Sequence, residues 1–269
     1  MDGTVGAGGH SQKIQEIIGP EGRLFGFDRD AMMLNFAGEK LTEANTELIH
    51  ASYVDAEQEL ADRGIEKVDR VLLDLGLSSD QLADRERGFG FDAGGPLDMR
   101  FHTGTGKTAA ELLAKTSAEH LAEIFHDFAD EPFARQIAEE VCRRRKSNPL
   151  TTTEQLEECV KNAVPGAATR SGKNPATRVF QALRIAVNQE LDHVRTMMQD
   201  VLPRILAPNG IAVVLTFHSI EDRMVKTAFK EKQTWQAITK NPVEPTPAEV
   251  RLNQRSRSTK LRAASRKAT

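Results

Sequence analysis

The 269 residues of this chain are 39% hydrophobic and 28% charged, a composition typical of a globular protein that can bury a sizeable core. The formal net charge of −3 excludes a positive field over the whole molecule, so any nucleic-acid-binding surface must be local. The sequence has no run of about 18 apolar residues and no signal-peptide pattern, and Cys142 and Cys159 lack metal-binding or redox spacing. We therefore expect a cytoplasmic protein without membrane segments or metal.

The chain begins with a glycine-rich loop, Asp2–Ser11, that leads into a helical pattern. Twenty residues after Gly8, Asp28 ends a β-like segment, and an acidic side chain at this distance suits the hydroxyls of a ribose. Ser11 stands where the dinucleotide fingerprint has its third glycine, which favours an adenosine ligand without a pyrophosphate, such as S-adenosylmethionine. The strand that feeds such a loop would lie before Met1, so we expect this first strand to be missing.

Apolar strands and helical patterns alternate along the first and last parts of the chain. The predicted strands are Leu24–Asp28, Glu47–His50, Val71–Leu75 and Ile211–Phe217. The predicted helices cover 30–41, 55–63 and 188–206, and Pro208-Asn209-Gly210 is expected to form a turn before the last strand. This alternation predicts a doubly wound α/β domain, whose mostly parallel sheet is covered on both faces.

The region from Asp84 to Arg178 lacks any convincing buried strand and has helix starts instead. The spacings Thr108–Glu111 and Thr151–Glu154 both fit a capping box. We therefore predict a helical insert that follows the third strand and overhangs the ligand crevice. The expected organisation is a core in two parts, residues 1–104 and 183–269, around an insert of residues 105–182.

Asp74 and His218 are the candidate catalytic residues, because each stands at the end of a predicted buried strand. A carboxylate such as Asp74 is costly to bury unless it is paired or faces a crevice; the alternative is that it caps the next turn. His218 precedes Ser219 and Asp222, which suit the N-cap and the first turn of a helix, so a structural role is open for this segment as well.

Basic residues are concentrated in two places. The tail Arg251–Thr269 has seven basic residues and no acidic one, and the run Arg143–Lys146 precedes the further basic residues Arg170, Lys173 and Arg178. Against a net charge of −3, this asymmetry favours an RNA-facing surface with a phosphate-contacting arm. A frayed tail and a solvated helix face are the alternatives.

Six segments carry a resemblance to one family: Asp2–Ser11, Leu72–Leu82, Gly94–Arg100, Asn174–Leu191, Phe217–Arg223 and Arg255–Arg262. In order and over nearly the whole chain, they resemble the bacterial ribosomal RNA small subunit methyltransferase H (MraW) family. The resemblance implies a class I methyltransferase fold with a helical insert. It also implies S-adenosylmethionine-dependent N4-methylation of a decoding-centre cytidine in 16S rRNA of the small ribosomal subunit.

Carried over by position, the resemblance implies cofactor contacts from Gly8, Gly9, His10, Asp28, Tyr53, Asp74 and Gln81. The Tyr53 ring would stack on adenine, unless it is only a packing residue. The proton acceptor does not carry over, because Asp74-Leu75-Gly76-Leu77 replaces the Asp/Asn-Pro-Pro-aromatic motif of many amino-methyltransferases. Asp74 and then His218 are our candidates. The missing strand motivates an alternative, a truncated relative that binds small-subunit RNA without cofactor or catalysis.

Overall fold

The computed structural model describes residues 1–90, 94–166 and 174–268, so the predicted basic residues Arg170 and Lys173 lie outside the described part. The chain divides into two compact units. The first unit is Met1–Gly76 with Leu191–Thr269, and the second unit is Leu77–Glu190. The division into residues 1–104, 105–182 and 183–269 stays a prediction of functional organisation. None of the helices within the described ranges is long and apolar enough to cross a membrane.

The strands are β1 (Leu24–Asp28), β2 (Thr46–His50), β3 (Val68–Asp74), β4 (Leu206–Thr216), β5 (Trp235–Ala237) and β6 (Lys260–Arg266). The helices up to the end of the second unit are α1 (Gly9–Ile18), α2 (Ala31–Lys40), α3 (Ala56–Ala61), α4 (Ser79–Ala83), α5 (Ala109–Lys115), α6 (Ala118–Ala129), α7 (Ala134–Arg144), α8 (Thr153–Ala163) and α9 (Thr177–Asn188). They are followed by α10 (Glu190–Thr196), α11 (Leu202–Ile205), α12 (Ser219–Ala228) and α13 (Pro247–Leu252). Short 3-10 turns cover Tyr53–Asp55, Arg85–Arg87 and Gln254–Ser258, and a π-helical turn covers Met197–Val201.

Residues 1–5 fill an interior position of the sheet, between β1 and β3. The Asp2 N–H donates to the Phe25 carbonyl at 2.8 Å, and the Gly3 N–H donates to the Leu72 carbonyl at 2.9 Å. Both pairings are parallel. The expectation of a missing first strand was therefore wrong: a short extended segment stands in its place, although its two polar residues and glycine give no apolar strand signal.

The resulting strand order is β2, β1, residues 1–5, β3, β4, β6, β5. The first five strands along the chain are parallel, and their order 3-2-1-4-5 is that of a doubly wound nucleotide-binding sheet. Among the described strands, only β6 runs in the opposite direction: it pairs antiparallel with β4 on one side and with β5 on the other, so β5 runs in the same direction as β4. The four predicted strands are confirmed as β1 to β4, and the expected class I arrangement is confirmed with them.

Side chains cover both faces of the sheet, as the apolar strands predict. Phe27 of β1 is completely buried in a cluster that includes Leu60 of α3. Leu48 of β2 pairs with Gly26, the residue before Phe27, so its side chain lies on the face opposite to that of Phe27. There it packs with Ala37 of α2. Helix α3 therefore packs on one face of the sheet and helix α2 on the other.

The predicted turn at Pro208–Gly210 lies inside β4 instead of before it. Leu206 pairs with Val68 and Ile211 pairs with Arg70, so four residues of β4 stand opposite a single residue of β3. Asn209 adopts a positive φ of 62° within this bulge. The turn residues therefore break the ladder locally, and pairing resumes on both sides of them.

The second unit is helical, and its described residues form an isolated bridge between Pro96 and Thr152 but no strand. The predicted capping box at Thr108 and Glu111 is confirmed at the start of α5. The second box was misplaced by one residue. Thr152, not Thr151, caps α8, because the Thr152 hydroxyl accepts the Gln155 N–H at 3.4 Å while the Gln155 side chain accepts the Thr152 N–H at 3.1 Å.

The basic tail is not a frayed arm over its whole length. Its last part is β6, in which Arg262 is buried and donates to both Asp222 carboxylate oxygens at 2.6 and 3.1 Å. The run on α7 is also engaged: Arg143 contacts Glu140 at 2.6 Å, and Arg144 contacts Glu158 at 2.5 Å. Arg262 and Arg144 each join two structural elements, whereas Arg143 pairs within α7 and stays exposed.

Candidate cofactor site

The glycine loop is closed on one side and open on the other. Gly6 and Gly8 have positive φ angles of 51° and 84°, and the Gly8 N–H donates to the Val5 carbonyl at 2.9 Å. A Cβ on Gly8 would lie 3.4 Å from the Ala37 Cα, whereas a Cβ on Gly9 would meet no atom within 4 Å. The tight turn requires glycine at position 8, and the space above Gly9 leaves room for a ligand.

Asp28 connects the end of β1 to this loop. One carboxylate oxygen accepts the Gly6 N–H at 2.9 Å, and the other accepts the Asp30 N–H at 2.9 Å. Burial raises the pKa of Asp28 to about 6, although both backbone hydrogen bonds oppose this rise. The structure therefore brings together the two features that the sequence paired as a ribose-binding site.

Asp74 ends β3 and contacts the other side of the loop. Its backbone N–H donates to the Thr4 hydroxyl at 2.6 Å, and its Oδ2 lies 3.3 Å from the His10 Nε2. The hydrogen bond to Asp74 raises the pKa of His10, against the opposing effect of burial. The Asp74 Oδ1 atom is buried and accepts no hydrogen bond from the residues that the structure describes. A buried acceptor without a partner at a strand end is free to accept a hydrogen bond from a ligand.

Tyr53 lies beside the start of the loop, directly after β2. Its Cβ would be 3.1 Å from a Cβ built on Gly3. The tyrosine ring meets the His193 ring edge-on, with centroids 6.2 Å apart. His193 Nδ1 lies 3.2 Å from the Ser52 hydroxyl and 3.3 Å from an Arg29 nitrogen. Burial and, secondarily, the Arg29 charge lower the pKa of His193.

His193 was not predicted from the sequence. It lies in α10, before β4, and 140 residues separate it from Tyr53. It lies within a helical pattern that has no motif of its own. Only the packing of α10 near the end of β2 brings the two rings together, so a single sequence offers no signal for this pair.

Gln81 belongs to the second unit and has a local structural contact. Its side-chain oxygen accepts the Ser78 N–H at 3.0 Å, and its own N–H donates to the Ser78 hydroxyl at 3.0 Å. These two bonds form the capping box of α4. The predicted cofactor contact from Gln81 therefore stays a prediction.

His218, the second candidate proton acceptor, caps α12. Its Nδ1 accepts the Glu221 N–H at 3.4 Å, and its Nε2 lies 3.0 Å from the Glu221 Oε1 at an angle too poor for a hydrogen bond. Ser219 was the expected cap of this helix, and that expectation was wrong, because the extended backbone of His218 places the cap one residue earlier. Both ring nitrogens of His218 thus face Glu221.

The loop, Asp28 and Asp74 meet at one edge of the sheet, which we call the carboxyl edge because the parallel strands end there. Residues 1–5 run between β1 and β3, so the loop emerges between the two aspartates. Ligands of doubly wound sheets bind at this edge, where the strand order reverses. Within the described ranges, no group of three or more His, Cys, Asp or Glu side chains is placed to hold a metal ion.

A doubly wound sheet with a glycine loop between two acidic strand ends defines a protein of the class that binds adenosine-containing ligands. The family model that matches residues 1–267 is described as the MraW methylase family, and the chain belongs to that family.

Curated relatives support this assignment over almost the entire length. "Ribosomal RNA small subunit methyltransferase H" from Sorangium cellulosum is 44% identical over 268 residues, which cover 99% of this chain and 84% of that protein. The protein of the same name from Syntrophotalea carbinolica is 42% identical over 286 residues, which cover 99% and 91%. The crystal structure of an rRNA methylase from Streptococcus thermophilus aligns over 99% of this chain and 85% of its own, with 10% identity and a TM-score of 0.39. That structural likeness is too low to bear on the argument.

Proposed function

We propose that this protein transfers a methyl group from S-adenosylmethionine to small-subunit ribosomal RNA, at the N4 amine of a decoding-centre cytidine in 16S rRNA. The observation that carries the proposal is the convergence of the glycine loop, Asp28 and Asp74 at the carboxyl edge. Membership of the MraW methylase family and the names of the curated relatives support the reaction class and the RNA substrate.

The residues at the carboxyl edge fit this cofactor chemically. Asp28 offers carboxylate lone pairs to ribose hydroxyls, and Tyr53 offers a ring for adenine. Gly8 and Gly9 keep the start of α1 free of side chains, and Asp74 Oδ1 offers a buried acceptor that no described residue uses. S-adenosylmethionine supplies an electrophilic methyl group on a sulfonium.

The chain itself must orient the amine and receive its proton. The exocyclic amine of cytosine is a poor nucleophile because its lone pair conjugates with the ring, so precise positioning has to contribute much of the acceleration, up to about 7–11 kcal/mol. Asp74 is the better candidate for the proton acceptor, since its Oδ1 is unoccupied by described donors. His218 ranks second, because Glu221 faces both of its ring nitrogens.

The alternative function, RNA binding without cofactor, rested on the absence of the first strand. Residues 1–5 occupy that strand position and support the loop through hydrogen bonds to both neighbours. A missing strand therefore no longer supports the alternative of a cofactor-deficient protein. We place the reaction in the cytoplasm, on RNA within the small ribosomal subunit.

The experiment uses small ribosomal subunits from cells that lack the gene. Purified protein and methyl-labelled S-adenosylmethionine should transfer label to the RNA of these subunits, and not to subunits from cells that carry the gene. Large subunits serve as the control substrate. No label in small-subunit RNA, at cofactor concentrations that saturate binding, would overturn the proposal.

A further inference from the structure

Three arginines of the C-terminal region differ from the others in their surroundings. Arg251, Arg255 and Arg257 are exposed, and no side-chain ion pair or hydrogen bond joins them to any residue in the described part of the chain. In the same region, Arg262 is buried against Asp222, and Arg266 donates to the Leu206 carbonyl at 2.6 Å. The first three are therefore not needed to hold the sheet together.

The segment that carries them, residues 247–258, has capped and hydrogen-bonded backbone turns and is called here the arginine segment. It comprises α13, which Thr246 caps, and the following 3-10 turn, which Asn253 caps by accepting the Arg255 N–H at 3.2 Å. At its base, Val243 and Leu261 exchange two backbone hydrogen bonds of 2.9 Å. Buried Ser256 donates to the Asn253 carbonyl at 2.7 Å. The three guanidinium groups thus extend from an ordered support.

This support lies at the carboxyl edge. Leu215 of β4 pairs with Asp74 on one side and with Leu261 on the other. Two strand spacings therefore separate the backbones of Asp74 and Leu261, which is about 10 Å. Because β6 runs antiparallel, the chain enters it at this edge, and Arg257 precedes Leu261 by only four residues.

The charge of the arginine segment suits a polyanion. Glu249 is its only acidic residue, against three arginines, in a chain whose net charge is −3. Planar guanidinium groups bind phosphate oxygens in pairs, and backbone phosphates recur at short intervals along a nucleic acid. An acidic protein surface would not supply such a regular row of anions.

We propose that Arg251, Arg255 and Arg257 bind the phosphate backbone of the RNA substrate and hold it beside the carboxyl edge. This inference rests on the proposed function for the identity of the RNA. It assigns to three residues a role that differs from the structural role of the other arginines in the same tail.

The test compares two triple variants of the full-length protein. The first is R251Q/R255Q/R257Q. The matched control is K13Q/R195Q/R204Q, which removes the same charge from exposed side chains of the same unit that pair with Glu16, Asp192 and Glu57. Fluorescence anisotropy with a labelled fragment of small-subunit RNA gives the dissociation constant between 50 and 300 mM salt, and calorimetry gives the affinity for S-adenosylmethionine.

The arginine variant should bind RNA at least about tenfold more weakly at low salt. Its salt slope should fall by about 2–3, because each phosphate that the protein no longer neutralises lowers the slope by about 0.7–0.9. The control variant should bind RNA within about twofold of wild type, and cofactor affinity should not change in either variant.

Wild-type RNA affinity and salt slope in the arginine variant would overturn the inference. An equal reduction of RNA affinity in both variants would overturn it too, by showing a general charge effect. RNA binding is measured without turnover, so failure of methyl transfer in wild type would count against the proposed function alone.

Discussion

The imidazole of His10 and the carboxylate of Asp74 lie 3.3 Å apart, which joins the first turn of α1 to the end of β3. The contact depends on residues 1–5, which lie between β1 and β3 and place the loop directly beside Asp74. Asp74 thereby has one oxygen that faces His10 and one that no described residue binds. This division suits a residue that both fixes the loop and meets a ligand.

Replacing Asp74 should change the titration of His10. The hydrogen bond and charge of Asp74 raise the pKa of His10, so D74N should lower this pKa towards the ordinary histidine value. Proton NMR of the histidine ring resonances measures it, with H10Q to assign the signal among seven histidines. An unchanged His10 pKa in D74N would show that the contact does not form in solution.

The affinity for S-adenosylmethionine should fall in acid because of Asp28. Only the carboxylate accepts hydrogen bonds from two ribose hydroxyls, and burial places the Asp28 pKa at about 6 in the free protein. Affinity should therefore be nearly constant above pH 7 and decline towards about tenfold per unit below pH 6. Calorimetry from pH 5 to 8 measures this profile.

D28N provides the control for that profile, since it removes the titrating group. It should bind the cofactor weakly at every pH and show a flatter profile over this range. The same acid decline in D28N and wild type would assign the pH dependence to another group, such as His10.

Adjacent glycines of the loop should respond differently to alanine. G8A forces a side chain into a left-handed conformation and should destabilise the protein by about 1–2 kcal/mol in urea unfolding. G9A occupies open space in the first turn of α1, so its stability should match wild type while its cofactor affinity falls. If G9A kept full affinity, the space above Gly9 would not be the ligand site.

Removal of the Tyr53 ring should weaken cofactor binding more than removal of the neighbouring His193 ring. Stacking on a base contributes about 1–3 kcal/mol, so Y53A should lose about 5-fold to 150-fold in affinity, whereas Y53F should bind nearly as wild type. H193A should lose less cofactor affinity, because His193 contacts the Tyr53 ring in a T-shaped arrangement and would act only by holding that ring in place. A larger loss in H193A than in Y53A would contradict this order.

The sequence was sufficient to predict the elements whose local pattern is strong. Val71–Leu75 and Ile211–Phe217 are apolar runs that can only be buried, and both lie in strands of the sheet. The spacing of the glycine loop and Asp28 indicated that the two lie near one another, because one βαβ unit fixes that distance; the ribose-binding role of Asp28 stays a prediction.

Features that depend on distant pairing could not be predicted. β6 has three basic residues among seven and resembles a solvated tail, and only its pairing with β4 and the Asp222 contact bury Arg262. Residues 1–5 lack an apolar run, so their interior place follows only from the neighbours on both sides. His193 and Tyr53 meet for the same kind of reason.

The most direct test of the central claim is nucleoside mass spectrometry of small-subunit RNA from three strains: wild type, a deletion of the gene, and the deletion complemented with D74N. N4-methylcytidine at the decoding centre should be present in wild type, absent in the deletion and strongly reduced with D74N, whose protein should remain folded. Unchanged N4-methylcytidine in the deletion strain would contradict the account.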